Sequence, residues 1–267
     1  MIRIHNPLIW LGLMFTVLLS CKQDLVMNSC QLQVITSGDG DTLSVLNYDE
    51  NGLERINLYL PSGIRRFVYD NGVVVREEWF GPVGNLNRFR AFSYRADSAL
   101  EEIISYGLNA NGQWEPVQKE LLETNASGQV ILSKIYQIEP GLETLSAYRT
   151  REWRGELLTQ ESSWQQHPGD SSVWQLASTS TFTYDNNNSP WPNLPPIDPW
   201  KYRRNLSSEH RTLFEYLPGG DTLRLQFQRS IDYLYNKSGY PTEAQMTDWG
   251  GQLSVEKYQY VCEETLR

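Results

Sequence analysis

The chain has 267 residues, 32 acidic against 23 basic, and a formal charge of −9 at pH 7, with no cluster of Lys and Arg. Such a chain repels phosphate backbones, which excludes nucleic-acid binding and leaves no basic patch for lipid headgroups. Nine Trp and 15 Tyr, with few long runs of Ala, Leu, Glu and Lys, favour β-structure, and the length suffices for one large domain with its own core.

Residues 1–20 read as a signal peptide: Arg3, with no acid nearby, precedes an apolar run from Pro7 to Leu19 that ends at Ser20-Cys21. A helix of about thirteen residues covers roughly 20 Å, short of the ~30 Å hydrocarbon core, so a permanent spanning helix is not expected. The last four residues, Leu18-Leu19-Ser20-Cys21, resemble the lipobox of bacterial lipoproteins. That resemblance implies cleavage before Cys21, acylation of its thiol, and a membrane partner held through the lipid anchor, since several acyl chains give stable attachment. Lys22-Gln23-Asp24 is similar to the charged export tag of Bacteroidota lipoproteins. It implies an outer-membrane location, with the cell surface favoured over the periplasmic face. Residues 21–29 then form a short tether to a single domain over 30–267.

Cys30 and Cys262 lie near the two ends of that domain, in a compartment where disulfides persist. They are the candidate disulfide pair, and a bond between them would contribute about 5 kcal/mol by loop closure. The other reading is two separately buried thiols.

Turn signals recur along the domain: Tyr48-Asp-Glu-Asn-Gly52, Tyr69-Asp-Asn-Gly72, Leu108-Asn-Ala-Asn-Gly112, Thr124-Asn-Ala-Ser-Gly128 and Tyr235-Asn-Lys-Ser-Gly239. Asn and Asp bond locally to backbone and tolerate left-handed conformations, and Gly supplies positive φ, so these predict hairpin loops. Between them, Ile56, Leu58 and Leu60, Leu223, Leu225 and Phe227, and Tyr258, Tyr260 and Cys262 alternate with period two, which predicts antiparallel strands with one buried face. Gly-Asp-Thr-Leu opens two such strands, at 40–43 and 220–223. A proline-dense stretch at about 185–200 predicts a long loop, and Leu206-Ser-Ser-Glu209 after it resembles a capping box, predicting a short helix within 202–217. The fold class is therefore mainly all-β: an antiparallel meander of hairpins forming an extended, twisted or curled sheet.

The Tyr-Asp-x-x-Gly units, Tyr184-Asp-Asn-Asn-Asn-Ser-Pro-Trp191 and Tyr235-Asn-Lys-Ser-Gly-Tyr-Pro-Thr242 resemble the Bacteroidota lipoproteins of unknown function built from degenerate YD-type repeats, distant in style from Rhs wrapping repeats. The resemblance implies extended or curled antiparallel sheets and carries no catalytic residues. The YD pattern fades around 95–105 and 140–180.

No catalytic constellation, metal site or cofactor motif is recognised: hydrolase elbow, phosphate loop and zincin patterns are missing from the sequence. His167 and His210 lack metal-ligand spacing, and Asp39-Gly-Asp41 lacks the rest of a calcium loop. Asp41-Thr42-Leu43, Asp97-Ser98-Ala99 and Asp221-Thr222-Leu223 resemble short O-glycosylation signals of Bacteroidota. Trp191 and Trp200 on the proline-rich loop are the candidate ligand-binding residues, because flat aromatic faces on a stiff loop suit sugars or an apolar protein surface; the other reading is that they cap the sheet. The expectation is a non-enzymatic binding or structural lipoprotein whose partner is a glycan or an envelope protein. The alternative is a carbohydrate-active hydrolase with an unrecognised carboxylate pair.

Overall fold

The structure is a computed structural model and describes residues 30–50, 52–59, 62–167, 170–189, 204–217 and 221–262. Residues 31–261 form one unit. Cys30, which precedes it in the sequence, is buried and disulfide-bonded. The candidate residues Cys21, Trp191 and Trp200 lie outside the described residues.

Sixteen strands follow one another: β1 (Cys30–Ser37), β2 (Thr42–Asp49), β3 (Gly52–Tyr59), β4 (Ser62–Asp70), β5 (Val73–Phe80), β6 (Leu86–Tyr94), β7 (Leu100–Leu108) and β8 (Trp114–Thr124). The second half comprises β9 (Val130–Glu139), β10 (Leu142–Arg154), β11 (Leu157–His167), β12 (Asp170–Asn188), β13 (Arg204–Tyr216), β14 (Thr222–Tyr235), β15 (Pro241–Thr247) and β16 (Leu253–Cys262). Each pairs antiparallel with its chain neighbours, and β1 meets β16, so the sheet is a closed barrel. This corrects the expected extended or curled sheet. Closure removes both edges, which an open sheet would leave as unpaired N–H and C=O groups. The seam is tight: a Cβ on Gly38 would lie 3.0 Å from that of Val255, and Lys257 Nζ donates to the Gly38 carbonyl at 3.0 Å.

The predicted turns all sit at hairpins, divided between the barrel's two ends. Those before Gly52, Gly72, Gly128 and Gly239 are at one end, and that before Gly112 is at the other. Thr42 and Thr222 each open a strand at this second end. Where the YD pattern fades, the strands β7, β10, β11 and β12 nevertheless form. The expected helix within 202–217 is overturned. Within that span Arg204–Tyr216 is β13, paired on one side with β12 (Phe182 opposite Glu209) and on the other with β14 (Glu209 opposite Arg229). A capping box stabilises a helix start by local bonds alone, and two full strand ladders outweigh it.

At the first end a bulge recurs. The register shifts immediately before Tyr48, Tyr69, Tyr94, Thr124, Trp153, Tyr184 and Tyr235. A bulge re-aims the next side chain and tightens the twist. Here it turns aromatic residues toward the interior, where their polar tips cap carbonyls of the preceding hairpin: Tyr48 to Leu32 at 2.8 Å, Tyr69 to Leu53 at 2.9 Å, Tyr94 to Val74 at 2.7 Å and Trp153 Nε1 to Val130 at 2.9 Å. The buried core packs around this ladder, with Leu46, Leu53, Phe67, Val74, Phe92 and Leu122 among its members. The core thus fills the end that carries the bulges. At the other end the inward-facing Leu223 and Leu225 are 43% and 40% exposed, so water reaches the lumen there.

Candidate functional site

Between the apolar end and the open end, the inner wall is polar. Alternation puts Arg65, Phe67 and Tyr69 of β4 on one face, and Phe67 and Tyr69 belong to the interior cluster, so Arg65 faces the lumen. The register then carries the same face across neighbouring strands. Arg65 is opposite Trp79 and Trp79 opposite Arg88; Phe67 is opposite Glu77 and Glu77 opposite Arg90.

Glu77 is fully buried and accepts from two cations. Arg65 Nε donates to one carboxylate oxygen, and Arg90 donates to the other from Nε at 3.0 Å and Nη2 at 2.5 Å. The guanidinium groups of Arg65, Arg88 and Arg90 lie 5.8, 4.5 and 4.9 Å from the Trp79 ring centroid. Stacking on the electron-rich ring offsets part of the repulsion between them. Further round the wall, Arg151 is 1% exposed at its side chain and donates to Glu161 at 3.0 Å and to Ser133 Oγ at 2.6 Å. Burial holds the Arg151 guanidinium below its ordinary range and the Glu161 carboxyl above it, against the attraction between the two. Glu209 accepts from Arg229 at 2.6 Å.

Two recesses open into this wall. The larger, about 720 Å³, is lined by Arg65, Trp79, Arg88, Arg90, Ser105, Gln118, Glu120 and Arg149, among others. The smaller, about 360 Å³, is lined by Arg149, Glu161, Ser163, Ser178, Ser180, Phe182, Glu209 and Arg211. Arg149 borders both. Among the described residues, Arg88, Arg149 and Arg211 form no ion pair, whereas Arg65, Arg90, Arg151 and Arg229 each have a carboxylate.

The outer wall differs in kind. Arg66 and Arg76 pair with Glu78 at 2.5 and 2.8 Å, and Lys134 with Glu123 at 2.8 Å, all on strand faces opposite to the lumen. Gln160, Thr181, His210 and Gln228 follow one another across β11 to β14 on the same outer face. His210 is therefore on the face opposite to the lumen groups Glu209 and Arg211, and His167 ends β11 beside the turn to β12. Ser98 lies in an exposed turn at positive φ, with Asp97 Oδ1 accepting from the Ala99 amide at 3.1 Å.

The lumen arginines lie on strands, away from the loop motifs that mark Trp191 and Trp200 in the sequence. Their signal was phase: Arg65 and Arg90 stand two residues before Phe67 and Phe92, in step with core positions.

No family model matches the chain, and no curated protein matches it. Solved structures similar to it include a porin-like protein from Bacteroides uniformis (TM-score 0.39, 13% identity, 82% of this chain and 76% of that one). Another is a porin-like protein from Bacteroides vulgatus (TM-score 0.41, 9% identity, 87% of this chain and 99% of that one). A third is the TcdB2-TccC3-Cdc42 structure (TM-score 0.27, 13% identity, 79% of this chain and 12% of that one).

Proposed function

We propose that the chain is an envelope lipoprotein whose barrel stands in water, tethered to the outer membrane through acylated Cys21, and that it acts by binding rather than by catalysis. The observation that carries this reading is the charged outer wall. Arg66, Arg76, Glu78, Lys134 and Glu123 sit on faces that a transmembrane barrel would turn to lipid. Each Lys or Arg at the bilayer midplane would cost about 2–4 kcal/mol. An aqueous barrel needs an anchor, and the lipobox-like Leu18-Leu19-Ser20-Cys21 provides one.

Binding is favoured over hydrolysis because a glycosidase needs carboxylates free to act as acid and nucleophile or base. In the lumen Glu77, Glu161 and Glu209 are instead held by arginines, which leaves Glu120 without a second free carboxylate lining its recess. The recurrence of a bulge before an inward Tyr or Trp, with Asp following Tyr48 and Tyr69, supports the reading of degenerate YD-type repeats. A glycan or an envelope protein is the partner class, reached through the open end of the lumen or through Trp191 and Trp200.

Detergent-phase partitioning of the full chain against its Cys21→Ser variant tests the tether. The unaltered protein should enter the detergent phase and the variant the aqueous phase. A variant that remains integral after carbonate washing would sink the water-facing barrel.

A further inference from the structure

We propose that the larger lumen recess, between Arg88 and Arg149, is a binding site for a small organic molecule bearing an oxyanion, of which an acidic saccharide is the type. This deepens the reading of the protein as a binder and rests on it. Four guanidinium groups, those of Arg65, Arg88, Arg90 and Arg149, face one carboxylate, Glu120, along the recess. Glu77, the nearest buried counter-charge, is already shared by Arg65 and Arg90. Arg88 and Arg149 form no ion pair among the described residues, and Arg149 feels only the longer-range attraction of Glu161, itself held by Arg151, inside a chain whose overall charge is −9. Like charges gathered on one wall repel one another and cost stability.

Geometry suits an oxyanion. The Arg88 guanidinium lies over the Trp79 ring at 4.5 Å, and a guanidinium presents paired N–H donors that match a two-oxygen acceptor. Arg88 is exposed although it faces the lumen, so the group is reachable from the open end. Ser105 and Gln118 add neutral hydrogen-bonding groups of the kind that fix hydroxyls. A volume of about 720 Å³ falls in the range of small-molecule sites and holds a short oligosaccharide.

The test is calorimetric titration of the full chain with a galacturonate trimer, a sulfated disaccharide, inorganic phosphate and neutral maltotriose. At least one oxyanion probe should bind, more weakly at higher salt, and the three charged arms tell carboxylate, sulfate and phosphate apart. Arg88→Gln and Arg149→Gln should each weaken that binding by about tenfold or more, while Arg66→Gln on the outer wall leaves it unchanged. Phenylglyoxal modification of the unaltered protein, mapped by mass spectrometry, should show Arg88 protected by the bound probe, which covers the case in which a variant fails to fold. No binding by any oxyanion probe, or binding indifferent to both lumen substitutions and giving no protection, overturns the site. Binding of maltotriose alone would overturn it too, yet leave the broader reading of a binding protein standing.

Discussion

The hydroxyl of Tyr69 donates to the carbonyl of Leu53, sixteen residues back, at 2.9 Å. Leu53 is itself the register partner of Tyr48, and Val74, the partner of Tyr69, has its carbonyl capped by Tyr94. The β4–β5 hairpin is thereby fastened to the β2–β3 hairpin, and β6–β7 to β4–β5, each through the residue opposite the earlier bulge. The interlock explains why Tyr precedes the turn: a ring long enough to cross to the neighbouring hairpin, with a donor at its tip.

Removing one link should therefore destabilise without unfolding. Tyr69→Phe keeps the ring but leaves the Leu53 carbonyl unpaired, and a loss of about 1–2 kcal/mol is expected in urea unfolding. An unchanged midpoint would show that water replaces the hydroxyl.

Alkaline titration reads the same ladder. Burial, first among the causes, pushes Tyr48, Tyr69 and Tyr94 up to about 12 from an ordinary 10.0. A folded value above the unfolded one means that the stability these groups contribute is full below pH 10 and is lost as pH rises toward 12. Tyrosinate absorbance should show a late-titrating class that disappears in denaturant. A single transition near pH 10 in the folded protein would contradict the burial of the ladder.

Glu77 is the most exposed to loss among the lumen groups because it is fully buried and serves two arginines. Glu77→Gln would remove the buried carboxylate that Arg65 and Arg90 share, at a cost of about 3–5 kcal/mol. Thermal melting measures it. A melting temperature equal to that of the unaltered chain would mean that another acid takes over.

Cys30 is disulfide-bonded, and the sequence offers Cys262 as its partner. Proteolysis without reductant should release the two peptides linked, and Cys30→Ser should lower the stability by several kcal/mol, toward the ~5 kcal/mol of a loop this long. Peptides that separate without reductant would exclude this pairing.

How far the fold was legible is clear from particular elements. The turns before Gly52, Gly72, Gly112, Gly128 and Gly239 were readable because Asn, Asp and Gly act within four or five residues. The strand at 204–216 was misread as a short helix because Leu206-Ser-Ser-Glu209 is a local signal, while its ladders with β12 and β14 join residues far apart. The lumen pair Arg65 and Glu77 was not singled out, since alternation shows that two residues share a face without showing that the face curves inward.

By itself, then, the sequence determined the acidic character, the antiparallel hairpins and their turns, since charge, period-two patterning and turn chemistry are properties of short segments. Only the tertiary structure decided that β1 meets β16, that one end is packed and the other admits water, and that Arg88 and Arg149 share one recess. Closure depends on twist and on bulges accumulated over sixteen strands, and no segment carries that sum alone.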